Sequence, residues 1–203
     1  LEGAEGEPYG FQFTLFRSAV DPAPPSSASA WASNQVFMGH FAVTDGRGRT
    51  FHAFERFSRQ ALGLAGATAS PFRVWLEDWS LQGGGSQFPW RLRVKSEDFA
   101  LDLELEPVRP PLLQGREGMS QKSARPGNAS YYYSMTRLST RGTLSLGEAQ
   151  YPVEGLSWLD REWSTSSLGD DQVGWDWFSL QLNDGTDLMY YRLRNQLGQA
   201  DPH

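Results

Sequence analysis

The 203-residue chain has no cysteine, which excludes structural disulfides, thiolate nucleophiles, zinc-thiolate sites and iron-sulfur clusters together. No apolar run approaches the roughly 20 residues that a membrane-spanning helix needs, so we expect no transmembrane segment. Positive charge is scarce, since 18 Lys and Arg face 24 Asp and Glu for a formal net charge of -6. This balance argues against a nucleic-acid partner, because such binding depends on Lys and Arg that neutralise phosphates.

Several catalytic signatures are also missing from the sequence. No serine lies in a G-x-S-x-G turn, and neither a phosphate-binding loop nor a dinucleotide fingerprint occurs. The three histidines, His40, His52 and His203, do not form a pattern that could hold a metal ion. We therefore expect neither a metal nor a cofactor.

What the chain has in abundance is aromatic side chains beside turn residues. Aromatics make up 13% of the sequence, with eight Trp, 21 Gly and 12 Pro, a combination that favours strands over helices. Residues 9–17 and 99–106 alternate apolar and polar side chains, as half-buried strands do. Residues 72–79 are predicted to form one strand, residues 61–69 a loop, and residues 107–130 an irregular connection. About ten short strands predict an all-β fold, either a closed antiparallel barrel or a sandwich.

A faint internal repeat suggests how the chain is divided. Residues 174–194 contain an aromatic strand, a Gly turn and a second aromatic strand that ends in Arg, and residues 5–17 resemble the second half of that pattern. Such an echo indicates a duplicated domain. We therefore predict one domain over residues 1–172, with its first strand missing, and the truncated start of a second domain over residues 173–203.

The segment from Trp158 to Trp163 is the strongest candidate for chemistry. On a regular strand Trp158, Asp160 and Glu162 share one face, and the two acidic positions lie about 6.6 Å apart at roughly 3.3 Å per residue. Beside indole rings, two such carboxylates could differ in pKa and act as an acid and base pair. The alternative is that Arg161 and Arg137 form surface ion pairs with them.

Other candidates could line a ligand cavity. His40 lies within a strand and could donate a proton into a cavity, although a single histidine among apolar neighbours is more often hydrogen-bonded in the core. Phenols and indoles suit the wall of a pocket for a mostly apolar ligand, but they fill a barrel core equally well. Besides Trp158 and Arg137, the candidate ligand-binding residues are Trp163, Trp175, Trp177, Tyr131, Tyr132, Tyr133 and Tyr190.

Long ordered segments carry a family resemblance over nearly the whole chain. They are YGFQFTLFR, SAWASNQVFMGHFAV, FHAFERFSR, FRVWLEDWSL, GNASYYYSMTRL, GLSWLDREWSTSSL and GWDWFSLQLNDGTDLMYYRLR. The chain resembles the lipocalin-like family that joins carotenoid hydratase (hydroxyneurosporene synthase) with the AttH-type predicted secreted hydrolases, and it is closer to the latter. The resemblance implies tandem lipocalin-like β-barrels, so we expect one barrel here and the start of a second.

The resemblance also implies a location and an activity. AttH-type proteins resemble exported bacterial proteins encoded with ABC-type transporter components, which implies a periplasmic or secreted protein, held at the membrane if an anchor precedes Leu1. Hydratases of the family add water to an isoprenoid double bond without a cofactor. Asp160 and Trp163 match their acidic and aromatic block, whereas Arg161 stands where those hydratases have a histidine.

The expected function is an exported binding protein. In this interpretation it holds a lipophilic small molecule in an aromatic cavity, as an accessory to an ABC-type transporter, with acid catalysis as an additional role. The first alternative is an enzyme, a hydratase or hydrolase of isoprenoid-like or ester substrates, in which Asp160 is the acid and Glu162 assists. The second alternative is a structural interaction module of a transporter assembly.

Overall fold

A computed structural model describes residues 1–84, 87–165, 168–169 and 171–200, so His203 lies outside the described residues. Over these ranges the chain forms antiparallel strands and no helix, and it therefore contains no helix that could cross a membrane. The strands are β1 (Glu2–Gly3), β2 (Tyr9–Ala19), β3 (Gln35–Asp45), β4 (Thr50–Arg59), β5 (Ala65–Ala69), β6 (Phe72–Leu76), β7 (Trp79–Gly84), β8 (Gln87–Ser96), β9 (Phe99–Pro107), β10 (Leu112–Leu113), β11 (Met119–Gln121), β12 (Ala129–Leu146), β13 (Ala149–Trp163), β14 (Gln172–Gln181) and β15 (Asp187–Asn195).

The strands belong to two compact units, each made of two chain segments. Unit 1 contains Leu1–Glu106 and Ser139–Leu156, and unit 2 contains Pro107–Leu138 with the described residues from Ser157 onward. The long strands β12 and β13 each contribute residues to both units. The two units differ from the predicted domains, which are divided at residue 173. That boundary is inferred from an internal sequence repeat and the units are defined by compactness, so the boundary remains a prediction.

Unit 1 is built from sequential antiparallel strands. Strands β2, β3 and β4 form one sheet, and β5 to β9 pair in chain order in another. The inward side chains of these strands form the core, where Trp79 and Phe41 are fully buried. Their rings meet edge to face, with ring centroids 5.9 Å apart. The Trp79 indole donates a hydrogen bond of 2.7 Å to the Lys95 carbonyl, which satisfies its one polar atom inside the core.

Strand β12 passes very close to β9 within unit 1. A Cβ atom on Gly142 would lie 2.1 Å from the carbonyl oxygen of Asp102 and 2.9 Å from the Leu103 Cα atom. The φ angle of Gly142 is +155°. Only glycine allows the two backbones to approach so closely at that angle.

Unit 2 contains residues 129–138 of β12, residues 157–163 of β13 and the β14–β15 hairpin. The short strands β10 and β11 both pair with β12, with Leu113 opposite Tyr133 and Met119 opposite Tyr131. Strands β14 and β15 form a separate two-stranded sheet. Its Gln181 side chain donates to the Thr136 and Ser157 carbonyls at 2.7 and 3.2 Å, which attaches the hairpin to β12 and β13.

The prediction of an all-β antiparallel fold is confirmed, but two local predictions were wrong. Residues 72–79 form two strands, because the chain turns at Glu77 with φ at +58°, and an alternation of apolar side chains does not reveal such a turn. Residues 65–69 form β5 rather than a loop. Their Ala and Gly side chains give little strand signal, and pairing with β6 determines their conformation.

Candidate functional site

Asp160 lies on a face of unit 2 that β12 and β13 share. Alternate residues of β12, among them Ser130, Tyr132 and Ser134, point to the same side as Trp158, Asp160 and Glu162 of β13, because successive side chains of a strand point to opposite faces. Contacts between the two rows confirm the placement. The predicted common face of Trp158, Asp160 and Glu162 is therefore observed.

Three uncharged donors hold the Asp160 carboxylate. The Tyr132 hydroxyl and the Ser134 hydroxyl donate to Oδ1 at 2.9 and 2.5 Å, and the Trp158 indole donates to Oδ2 at 3.0 Å. Tyr132 and Ser134 are 4% and 0% exposed. Two of the three donors are thus fixed by burial, so the carboxylate orientation is set by the interior of unit 2.

Tyr132 connects Asp160 to the hairpin. The Trp177 indole donates to the Tyr132 hydroxyl at 3.2 Å, and the Trp158 and Trp177 rings meet edge to face at 6.3 Å. Burial, together with the neighbouring Asp160 carboxylate, raises the pKa of the Tyr132 phenol far above its usual value. The phenol therefore remains protonated at neutral pH and acts as a donor to Asp160.

Asp160 itself is exposed to solvent. Two of the surface hollows in the described part of the chain, of about 400 and 390 Å³, are lined by residues other than Asp160. Asp160 also has no basic partner among the described residues, since its hydrogen bonds all come from uncharged groups. The Asp160 carboxylate is thus oriented by uncharged donors, lies on an exposed face with the Trp158 and Trp177 rings, and contacts no basic side chain of the described residues.

Glu162 lies in a different electrostatic environment. The Lys122 ammonium is 2.5 Å from Glu162 Oε1, and the Ser130 hydroxyl donates to the same oxygen at 2.5 Å. The Lys122 side chain is only 10% exposed, and its ammonium lies over the rings of Tyr132 and Tyr191 at 5.5 and 4.7 Å from their centroids. Glu162 is thus anchored as an ion pair, whereas Asp160 is not.

Three predicted ligand-binding residues lie on the opposite face. Tyr131, Tyr133 and Trp163 form an aromatic cluster, with ring centroids of Tyr131 and Trp163 at 5.6 Å and of Tyr133 and Trp163 at 6.3 Å. Arg161 lies over the Trp163 ring at 5.9 Å. Because these side chains occupy the other side of the strands, they do not join Asp160.

The remaining aromatic candidates are divided between the two faces of the hairpin. Trp175 lies on the same face of β14 as Trp177, two residues away, and is 56% exposed. Tyr190 lies on the opposite face and stacks on Phe178, with ring centroids 6.4 Å apart. Only Trp177 of this group contacts the residues that hold Asp160.

Arg137 pairs with neither Asp160 nor Glu162. It donates to Asp187 Oδ1 from Nε and a terminal nitrogen at 3.1 and 2.7 Å, while Arg109 and Thr136 donate to Oδ2 at 3.0 and 2.8 Å. The Asp187 side chain is 4% exposed. Burial acts to raise the pKa of Asp187, but the hydrogen bonds and charges of these partners outweigh it and lower the pKa below its usual range.

His40 belongs to unit 1 and is not buried in a core. Its side chain is 41% exposed, and Nε2 is 3.1 Å from the Glu55 carboxylate. The Phe16 ring meets the imidazole edge to face at 5.5 Å. The surroundings of His40 are therefore those of a surface side chain paired across neighbouring strands.

Sequence reasoning missed Lys122. It follows β11 in the segment predicted to be irregular, where no periodic pattern assigns it to a face. No group of three or more His, Cys, Asp or Glu side chains in the described ranges could hold a metal ion.

The chain is similar to one family model and to longer proteins of known structure. A family model described as AttH-like matches residues 1–203. The crystal structure of an AttH-type protein from Nitrosomonas europaea is similar with a TM-score of 0.86 and 34% identity, over 98% of this chain and 59% of that one. Kievitone hydratase from Nectria haematococca is similar with a TM-score of 0.66 and 10% identity, over 97% and 59%. A search of curated protein sequences found no match.

These similarities confirm the lipocalin-like fold. At 10% identity the kievitone hydratase shows the fold alone. The chain spans about three fifths of the length of both solved relatives, since it covers 59% of each.

Proposed function

The chain belongs to the AttH-like family, and on that premise we propose that unit 2 binds a lipophilic small molecule beside Trp158 and Trp177 and transfers a proton through Asp160. The observation that carries the proposal is the Asp160 carboxylate, which three uncharged donors orient and no basic side chain of the described residues neutralises. The reaction class that fits is addition or removal of water, or hydrolysis of an ester, on an isoprenoid-like molecule.

The two carboxylates of β13 have different roles in this proposal. Glu162 is held by the Lys122 ammonium and the Ser130 hydroxyl, which both contact its Oε1 atom. Asp160 contacts no basic side chain of the described residues and is free to exchange a proton with a bound molecule. Asp160 is therefore the proton-transfer group, and Glu162 keeps Lys122 and Ser130 in position.

In a hydration cycle at this site, the Asp160 carboxylate first takes up a proton from solvent water. The resulting carboxyl gives this proton to one carbon of a C=C bond, and the electron pair of that bond forms the new C–H bond. Water attacks the resulting carbocation, and the proton that the water loses returns to the Asp160 carboxylate. Indole rings stabilise positive charge near their faces, so Trp158 and Trp177 are the residues that would lower the energy of the cation.

Asp160→Asn tests this proposal, with Asp176→Asn as the matched control. Asp176 is also a carboxylate of unit 2, but it pairs with Arg192 and Arg194 instead of the Asp160 donors. Native protein is extracted, any lipid-like molecule that it carries is identified by mass spectrometry, and turnover and affinity are measured with that molecule and with geranyl acetate. Geranyl acetate contains both an ester and isoprenoid double bonds, so products separate hydrolysis from hydration.

The turnover and affinity of the two variants show whether Asp160 transfers a proton, whether it has no part in the site, or whether the site is absent. Loss of turnover with nearly unchanged affinity in Asp160→Asn, and neither change in Asp176→Asn, supports proton transfer by Asp160. No loss of either quantity excludes Asp160 from the site. Protein that carries no molecule in several preparations and does not bind geranyl acetate contradicts the whole proposal.

A binding role without catalysis is the second candidate. The open surroundings of Asp160 favour it, because catalytic sites usually exclude water and this carboxylate is exposed. In this version the protein is an exported binding accessory of an ABC-type transporter, as the family resemblance implies. Saturable binding of the co-purified molecule without turnover in the unmodified protein, and loss of that affinity in Asp160→Asn, would support it.

A further inference from the structure

The acidic side chains that lie on strands β13, β14 and β15 of unit 2 differ in their partners. Glu162 pairs with Lys122, Asp187 with Arg109 and Arg137, and Asp176 with Arg192 and Arg194. Asp160 is surrounded by rings and uncharged donors instead. No basic side chain of the described residues contacts this carboxylate, so a positively charged ligand can pair with it.

The donors leave room for one more partner on the carboxylate. Oδ1 accepts two hydrogen bonds, from Tyr132 and Ser134, whereas Oδ2 accepts only the Trp158 bond. Since each carboxylate oxygen can accept about two hydrogen bonds, Oδ2 keeps one acceptor position. The Trp158 indole that bonds Oδ2 meets the Trp177 ring edge to face, with ring centroids 6.3 Å apart, and Trp177 is 38% exposed. The apolar body of a molecule bound at Oδ2 can therefore extend over these indole rings.

The chemistry favours an organic cation over a metal ion. Calcium takes six to eight oxygen ligands, and the described residues contain no group of three acidic, His or Cys side chains. Ammonium and quaternary ammonium groups pair with one carboxylate and are attracted to indole faces. The net charge of -6 also raises the local concentration of cations around the protein.

We propose that the open oxygen of Asp160 and the Trp177 ring form a binding site for lipophilic organic cations, that is, for a protonated amine or quaternary ammonium attached to an apolar body. The inference rests on the proposed function for its location and names the class of molecule that the ionised site selects. The carboxylate oxygen Oδ2 of Asp160 attracts the positively charged group of the ligand, and the indole rings of Trp158 and Trp177 contact its apolar body.

The test compares benzyltrimethylammonium with neopentylbenzene, which has the same shape but carbon in place of the charged nitrogen. Binding is followed by NMR of the indole N–H groups, and the Trp158 and Trp177 signals are assigned from the Trp158→Phe and Trp177→Phe variants. We expect the cation to shift these two signals saturably and to bind about tenfold tighter than the neutral probe, which corresponds to about 1.4 kcal/mol. Asp160→Asn should remove that preference, and Asp176→Asn should keep it.

Equal affinity for the two probes, or an unchanged preference in Asp160→Asn, would overturn the inference. A shift that sodium chloride reproduces at the same concentration would do so as well. The proposed function is judged separately, because it predicts loss of turnover in Asp160→Asn whichever probe binds. If the preference is absent but turnover depends on Asp160, only the cation site is wrong.

Discussion

Replacement of Lys122 by Met should destabilise unit 2 chiefly by leaving the Glu162 carboxylate without its cation. Methionine keeps the apolar stem of the side chain and removes the ammonium. The lost contacts are the ion pair at 2.5 Å and the placement of the ammonium over the rings of Tyr132 and Tyr191. The Glu162 side chain is 40% exposed, so water partly solvates the carboxylate that remains.

The expected loss in the free energy of unfolding follows from the contacts that Lys122→Met removes. A charge-assisted hydrogen bond contributes about 1.5 to 3 kcal/mol, and each cation–π contact about 0.5 to 1 kcal/mol. The hydrogen-bond value is already net of the cost of removing the groups from water, and the 40% exposure of Glu162 favours the lower end of each range. The expected net loss for Lys122→Met is therefore about 2.5 kcal/mol.

A double-mutant cycle separates the pair from its surroundings. Urea unfolding of Lys122→Met, Glu162→Gln and the double variant should give a coupling free energy of about 1 kcal/mol. The control cycle combines Lys122→Met with Asp176→Asn, whose partners are Arg192 and Arg194, and should be additive within about 0.3 kcal/mol. If the coupling of Lys122 and Glu162 is as small as that of the control pair, the proposed difference between Glu162 and Asp160 has no energetic basis.

Two further predictions concern stability. The folded-state pKa of Asp187 is lowered. Its contribution to the free energy of unfolding should therefore be complete above the unfolded-state pKa of about 3.9 and be lost as the pH falls through the folded-state pKa. Asp187→Asn should lower the free energy of unfolding by about 2 to 3 kcal/mol at pH 7 and should weaken the decrease of stability at acidic pH, as measured by urea unfolding. Gly142→Ala should cost about 2 to 3 kcal/mol, because its Cβ would lie 2.1 Å from the Asp102 carbonyl oxygen. Gly147→Ala, at φ +63° with open space around it, should cost only about 1 kcal/mol, and equal thermal shifts in the two variants would contradict the close approach of β9 and β12.

The alternation of apolar and polar residues along single strands predicted much of the fold and the shared face of the central residues of the candidate site. The two-residue period places Trp158, Asp160 and Glu162 on one face, as observed. It also separates Tyr132 from Tyr131, since adjacent residues of a strand point to opposite sides. The same local rule thus explains why only part of the aromatic set meets Asp160.

Contacts between distant segments could not be predicted in the same way. Lys122 reaches Glu162 from a segment without periodic pattern, and Arg137 pairs with Asp187, 50 residues further along the chain. Which acid a basic side chain selects depends on packing rather than on spacing in the sequence. The exposure of Asp160 is likewise a property of the assembled strands, which local pattern does not encode.

The sharing of β12 and β13 between the two units bears on how the polypeptide can be dissected. A fragment that ends at residue 106 lacks Ser139–Leu156, which unit 1 requires. A fragment that begins at residue 107 carries those strand segments without the rest of that unit. Neither unit can be isolated by one cut, and a ribosome must synthesise the first segment of unit 2 before unit 1 has all of its strands.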